Sequence, residues 1–289
     1  MCATGRRRAH EWQEATATPS VTLTVLDHPA SATGLLAAAS CVSRLAGGGR
    51  INVLAARVPP LSTIMPTEEV LTADKAGRLR AQETARVAAL KASFDAWIAT
   101  AGGADGATEW IETEALPRDL VAEWGRRADI IVVERPERRD RGTTWQALPA
   151  ALFETDRPVL IVPPELTTPF GRNVAIAWRD DPHATRAVLS ALRYAGNAAS
   201  IHVFAGVRPG VARPRIPDVF VEHGVQPELE IIPVGEEPLG STLLARAHAT
   251  GADLLVMGAY AHSPLRELIL GGVTHYVLAH ADLPVLMRH

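Results

Sequence analysis

Cysteine is nearly absent: only Cys2 and Cys41 occur in 289 residues. They are too few and too far apart for a disulfide framework, which favours a reducing compartment. Also missing is any apolar run near the roughly 18 residues that a membrane span requires. Residues 1–19 carry Arg6, Arg7 and Arg8 but no apolar stretch behind them, so they read as a mobile tail rather than a secretory signal. A cytoplasmic location is expected by elimination. Strong charge of one sign is lacking too; a net charge of −3 offers no general electrostatic case for nucleic acid. The basic cluster from Arg135 to Arg141 is interleaved with Glu137 and Asp140 and reads as a solvated loop. Neither Gly-x-Ser-x-Gly nor the Walker A pattern occurs, and no paired acids stand poised for hydrolysis, so no enzyme activity is expected.

What is present is a globular composition, 47% apolar and 21% charged, in a chain long enough for two domains. Strand-like and helix-like runs alternate. Strands are expected at Val21 to Leu26, Ile51 to Val58, Thr108 to Thr113, Ile130 to Val133 and Val159 to Val162. Between them lie helical stretches: Ala30 to Leu45 stopped by Gly47-Gly48-Gly49, Thr67 to Thr100 with Thr67 as N-cap, Pro117 to Arg127, and Thr144 to Glu154. The second half repeats this order from Val174 onward. Ala128-Asp129-Ile130-Ile131-Val132-Val133 matches Ala252-Asp253-Leu254-Leu255-Val256-Met257, and Arg157-Pro158-Val159-Leu160-Ile161 matches Leu283-Pro284-Val285-Leu286-Met287. The offsets nearly agree, as a duplication requires. The second copy has lost most of its long helix, leaving only Ile216 to His223. Alternation of this kind marks parallel sheets covered by helices, with a domain boundary between Pro163 and Gly171.

The closing stretch, Ala252 to His289, carries the most specific pattern. Strand Leu254 to Met257 stops at Gly258, a segment of small residues leads to Gly271-Gly272-Val273-Thr274, and a helix and the strand Val285 to Met287 follow. A helix start offers unpaired N–H groups and a positive dipole end, and glycines admit close approach of an anion. The spacing resembles the signature of the universal stress protein family: Gly, two residues, Gly, nine residues, Gly, then Ser or Thr. Gly258 and Gly271 fill the first and third slots; Ala261 stands at the second, and Gly272 replaces the hydroxyl residue.

With the internal repeat, this resemblance covers the chain from about residue 20 to the end. It implies an α/β fold of two tandem doubly wound domains, 20–165 and 171–289, each with a five-stranded parallel sheet of the adenine nucleotide alpha hydrolase-like kind. It further implies an internal pseudo-dimer, with further pairing into a homodimer open, a cytoplasmic stress-response role, and ATP, with magnesium, at the glycine signature. In ATP-binding members the first loop carries an Asp, the second a Val whose backbone meets the adenine, and the third the glycines. Carried onto this chain, these are Asp180, Val207 and the set Gly258, Ala261, Gly271, Gly272, Val273 and Thr274, with His262, Arg179 or Arg266 as further donors. Ala261 adds a methyl where the backbone should approach phosphate, and Gly272 removes a hydroxyl for which Thr274 can compensate. In the first half Glu134 replaces the strand-end glycine and would repel phosphate, so nucleotide is expected in the second half alone. Two rivals are a nucleotide-independent scaffold and a slow ATPase using Asp180, Asp181 or Glu267. His275 and His280, five apart, do not share a helix face for a metal. Cys41 reads as core, and Trp178, at a strand end, is the tryptophan placed to face a ligand.

Overall fold

The computed structural model describes residues 20–60, 72–102, 107–136, 144–166, 169–196, 198–212, 214–235, 238–259 and 272–289. The first half comprises β1 (Ser20–Leu26), α1 (Pro29–Leu45), β2 (Gly49–Arg57), α2 (Ala73–Trp97), β3 (Thr108–Glu114), α3 (Pro117–Gly125), β4 (Ile130–Glu134), α4 (Thr144–Glu154) and β5 (Val159–Val162). The second comprises β6 (Asn173–Trp178), α5 (Pro182–Leu192), β7 (Ser200–Val207), α6 (Asp218–Glu222), β8 (Glu228–Pro233), α7 (Leu239–Ala249), β9 (Leu254–Gly258), α8 (Gly272–His280) and β10 (Val285–Arg288).

Local chemistry accounts for the element ends. Pro29 and Pro182 open α1 and α5, where the missing N–H costs nothing and φ is already helical. α1 ends because Gly47 takes a φ of 84° and the chain reverses: its N–H donates to the Arg44 carbonyl at 3.0 Å, and that of Gly48 to the Ser43 carbonyl at 2.8 Å. α2 is capped by Thr72, whose hydroxyl accepts from the Lys75 N–H at 3.3 Å; Thr67, the expected cap, lies outside the described residues, as does the tail 1–19. β4 and β5 are buried along their whole length, as strands covered on both faces must be.

Each half carries the expected five parallel strands, and the two sets are joined edge to edge. All ten strands form one sheet in the order β3-β2-β1-β4-β5-β10-β9-β6-β7-β8. Neighbours run parallel except β5 and β10, which pair antiparallel, Leu286 opposite Leu160. Each half keeps the same internal order, and each would otherwise end in an apolar edge strand. Joining the two edges satisfies both ladders and hides both strands. The outer edges are protected differently: β3 carries Glu109, Glu112 and Glu114, and β8 carries Glu228, Glu230 and Pro233.

The core follows the sheet. One apolar layer, packed under α1, α2, α5 and α6, runs across both halves, and a second lies under α3, α4, α7 and α8. Equivalent helices therefore share a face while the joining strands oppose each other. The pseudo-twofold axis is normal to the sheet, and the strand carboxyl ends of the two halves point in opposite directions.

The two copies also tie themselves down alike. The Asp129 carboxylate accepts the Val21 N–H at 2.8 Å, and Asp253 accepts from Gly171 at 2.8 Å and from Arg172 and Asn173 at 3.1 Å. Asp253 thus holds the end of the linker and the start of β6 against β9. Asp253→Ala is expected to cost about 1.5–3 kcal/mol, the worth of a charged acceptor with several amides. Urea denaturation measures it, and Asp253→Asn should lose less.

Candidate functional site

A cavity of about 430 Å³ opens at the carboxyl ends of β6, β7 and β9, on the α7/α8 face. Phe204, Ile232, Leu239, Leu243 and Met257 form its apolar inner wall. Arg179, Asp181 and His183 border it on one side, and Gly272, Val273 and Thr274 of the first turn of α8 on another. That turn brings backbone N–H groups that have no intrahelical acceptor, together with the positive end of the helix dipole. Gly258 has a packing role of its own. A Cβ at this position would stand 2.9 Å from the Ala184 backbone nitrogen, so glycine is what lets β9 end against the first turn of α5.

Of the residues expected at the site, Gly258, Gly272, Val273 and Thr274 meet at this cavity, and Trp178 also contributes to its wall, with its side chain in the core of the α5 face. Ala261, His262 and Gly271 lie outside the described residues, as do Arg266 and Glu267. Asp180 is exposed and not part of the wall. The strand register explains this. Thr22 pairs with Ile130 and Val174 with Leu254, so the residue that follows the strand, Asp27 in the first half, is Arg179 in the second. One extra residue follows before the helix, and the acid that borders the cavity is Asp181. It caps α5, its Oδ1 accepting the Ala184 N–H at 2.9 Å, while Arg179 Nε donates to Oδ2 at 2.5 Å. Burial works to raise its pKa, but these hydrogen bonds outweigh burial and hold the carboxyl below the usual carboxylate range. Val207 is half-buried, outside the wall, and its carbonyl accepts the Val234 N–H at 2.9 Å.

The inner-wall residues were not anticipated. Their only signal is that apolar side chains persist to the carboxyl end of β7 and along the α7 face toward the sheet, which in sequence looks like ordinary core.

The corresponding crevice of the first half is closed to about 10 Å³ between Val25, Ala56, Pro117, Glu134 and Ala147. Glu134, standing where Gly258 stands in the other copy, is buried and pairs with His28 Nδ1 at 2.9 Å. On the other face of the same strand ends, Arg86 crosses from α2. Its Nη1 donates to the Asp27 carbonyl at 2.6 Å and to Asp27 Oδ1 at 3.2 Å. Its Nη2 donates to the Ala56 carbonyl at 2.5 Å and to Glu83 Oε1 at 2.6 Å. Burial pushes the Glu83 carboxyl up, but Arg86 and the Val58 N–H together hold it below its ordinary value. Short α6 offers no counterpart to Arg86 in the second half. Among the described residues no three His, Cys, Asp or Glu side chains converge as a metal cage, and no described helix is long and apolar enough to cross a membrane.

Residues 215–289, from just before α6 to the end of the chain, match the model of the universal stress protein family. This stretch, roughly a quarter of the chain, is thus similar to the universal stress protein family. Solved structures share the fold over both halves. A universal stress protein from Archaeoglobus fulgidus DSM 4304 superposes with a TM-score of 0.62 at 13% identity, over 93% of this chain and 97% of its own. A functionally unknown protein from Pseudomonas aeruginosa PAO1 does so with a TM-score of 0.52 at 15% identity, over 95% and 94%. At such identities the likeness is one of fold. The comparison with curated proteins gives no match. The universal stress protein match takes in Ile232, Leu239, Leu243, Met257, Gly258 and the α8 turn; Arg179, Asp181 and Phe204 lie before it.

Proposed function

We propose that this protein acts as a universal stress protein in a cytoplasmic stress response by holding an adenine nucleotide, ATP with its magnesium, in the second-half cavity, without turnover, while its first half is structural. The observation that carries this reading is the asymmetry of the two halves: one strand-end crevice is open to about 430 Å³, the other closed to about 10 Å³. The open one has the size and place of a ligand site in a doubly wound sheet. Phosphates would lie against the N–H groups of the α8 turn, with the Thr274 hydroxyl beside them, and the base against the apolar inner wall. Magnesium would ride on the phosphates, as it commonly does, rather than in an all-protein cage. Both oxygens of Asp181 are already engaged, which argues against a general base there.

Calorimetric titration with MgATP, followed by an assay for released phosphate, tests the reading. Saturable heat without phosphate release supports it. No heat at millimolar nucleotide removes it, and steady phosphate release replaces it with the ATPase reading. Among the described residues nothing lies within 4 Å of where a Cβ at Gly272 would point, so Gly272→Val meets no clash with them at the helix start. The variant is expected to weaken MgATP by about tenfold or more through blocked backbone approach, with an unchanged or raised Tm. One observation favours a scaffold without nucleotide: Val207 and Asp180 are both outside the wall. The same titration separates the two.

A further inference from the structure

We propose that the imidazoles of His183 and His289 form a proton-linked switch on the second-half cavity: an anionic ligand draws a proton onto the pair, so the site tightens as its surroundings acidify. The proposal rests on nucleotide binding at this cavity and concerns its regulation. His183 borders the cavity from the first turn of α5. Its ring lies against that of His289, just after β10, with centroids 4.7 Å apart and planes at 47°. Behind His289 stands a first-half side chain, Phe153 of α4, edge-on at 5.0 Å and 79°. The pair therefore reaches from the cavity wall to the seam between the halves.

The charges packed around the pair favour its neutral form. From α5, Arg186 Nη1 donates to the His289 carbonyl at 3.3 Å. Arg179 comes from the loop before α5, and Arg288 from the end of β10. Among the described residues the acids facing the pair are Asp181 and Asp156, and each is held by one of these arginines. Asp181 accepts from Arg179 at 2.5 Å, and Asp156, in the turn between α4 and β5, lies 3.5 Å from Arg288. His183 Nδ1 is buried and has no hydrogen-bond partner among the described residues. Burial, with His183 and Arg186 beside it, holds the His289 ring below the ordinary histidine value against the pull of Asp156. A bound polyphosphate supplies the counter-charge. A cavity of about 430 Å³ is about as wide as the Debye length, roughly 8 Å at physiological ionic strength, so the field of the ligand reaches His183 only partly screened. The ligand favours the protonated pair, so binding raises the pKa of the pair and takes up a proton. Uptake is largest just below pH 6.5 and vanishes by about pH 8.

Titration calorimetry of the full chain with MgATP, at pH 6 and pH 8 and in two buffers of different ionisation heat at each pH, counts the protons taken up. About 0.3 or more per nucleotide is expected at pH 6 and close to none at pH 8, with affinity at least about threefold tighter at pH 6. His289→Gln and His183→Gln each remove one ring and should each lower the uptake by about half or more; the second variant keeps the test decisive if the first fails to fold. His275→Gln, which removes an exposed imidazole from the first turn of α8, should leave the uptake in place. No uptake at pH 6, unchanged uptake in either ring variant, or loss of uptake in His275→Gln overturns the proposal while nucleotide binding stands. If MgATP binds at neither pH, the functional reading itself is removed and this inference goes with it.

Discussion

Arg86→Met is expected to lower the stability of the protein by about 3–5 kcal/mol, the cost of removing one partner from a largely buried ionic network. Arg86 binds two backbone carbonyls, Asp27 and Ala56, and two carboxylates, Asp27 and Glu83, from a side chain only 20% exposed. Methionine keeps the aliphatic stem and removes every donor, so two carboxylates and two carbonyls lose their shared partner. The pH dependence gives the sharper check. Glu83 is held below its ordinary value in the folded protein, so its contribution is complete above its unfolded pKa, about 4.3, and is lost as pH falls through the lower folded value. Wild-type stability should therefore decline as pH drops below about 5. Arg86→Met lacks the guanidinium responsible for much of that lowering, so its decline is shallower and the gap between the two proteins narrows in acid. Urea midpoints at neutral and acid pH measure this; an equal gap at both would show that the carboxylates are not what Arg86 serves. Arg86→Lys should recover only part of the loss, because one ammonium cannot reach four acceptors in the plane of a guanidinium.

Leu286→Ala is expected to cost about 2–5 kcal/mol and to be felt in both halves. Leu286 lies on β10 directly opposite Leu160 on β5, each 1% exposed. Truncation leaves a cavity in the apolar layer that both halves share, at the strand pair that joins them. With a continuous sheet and two continuous cores, the halves should unfold in one transition. Hydrogen exchange by mass spectrometry tests this: protection should fall together in β1 and β4 of the first half and in β6 and β9 of the second. Protection retained in the first half alone would show that the seam does not couple them.

Much of the fold is legible along the chain because its signals are local. Pro29 and Pro182 mark helix starts, Gly47 marks a helix end, and the repeated Ala-Asp followed by apolar residues at Asp129 and Asp253 marks the duplicated strand entry. The function of those aspartates, clamping a neighbouring strand start, is not local, and it appears only when Val21 and Asn173 are brought beside them. The seam between the halves escapes the sequence for a similar reason. Val159 to Val162 reads equally well as the buried edge of one sheet or the centre of a larger one, because burial on both faces leaves the same apolar run.

The site shows the same division. Gly258 and the α8 start could be placed because glycines and helix starts announce themselves. Asp180 could not be told from Asp181, since one residue in a turn decides which carboxylate caps the helix and which faces solvent.

By itself, the sequence determined the duplicated α/β plan, the strand and helix order and the universal stress protein resemblance, and it directed the expectation of a nucleotide to the second half. These rest on periodicity, capping and glycine spacing, which act over a few residues. Only the tertiary structure decided that the halves share one sheet, that Arg86 binds across the first-half strand ends, and that Arg179 holds the place of an acid beside the second cavity. Those outcomes depend on contacts between residues tens of positions apart and on strand register, and neither leaves a trace in local composition.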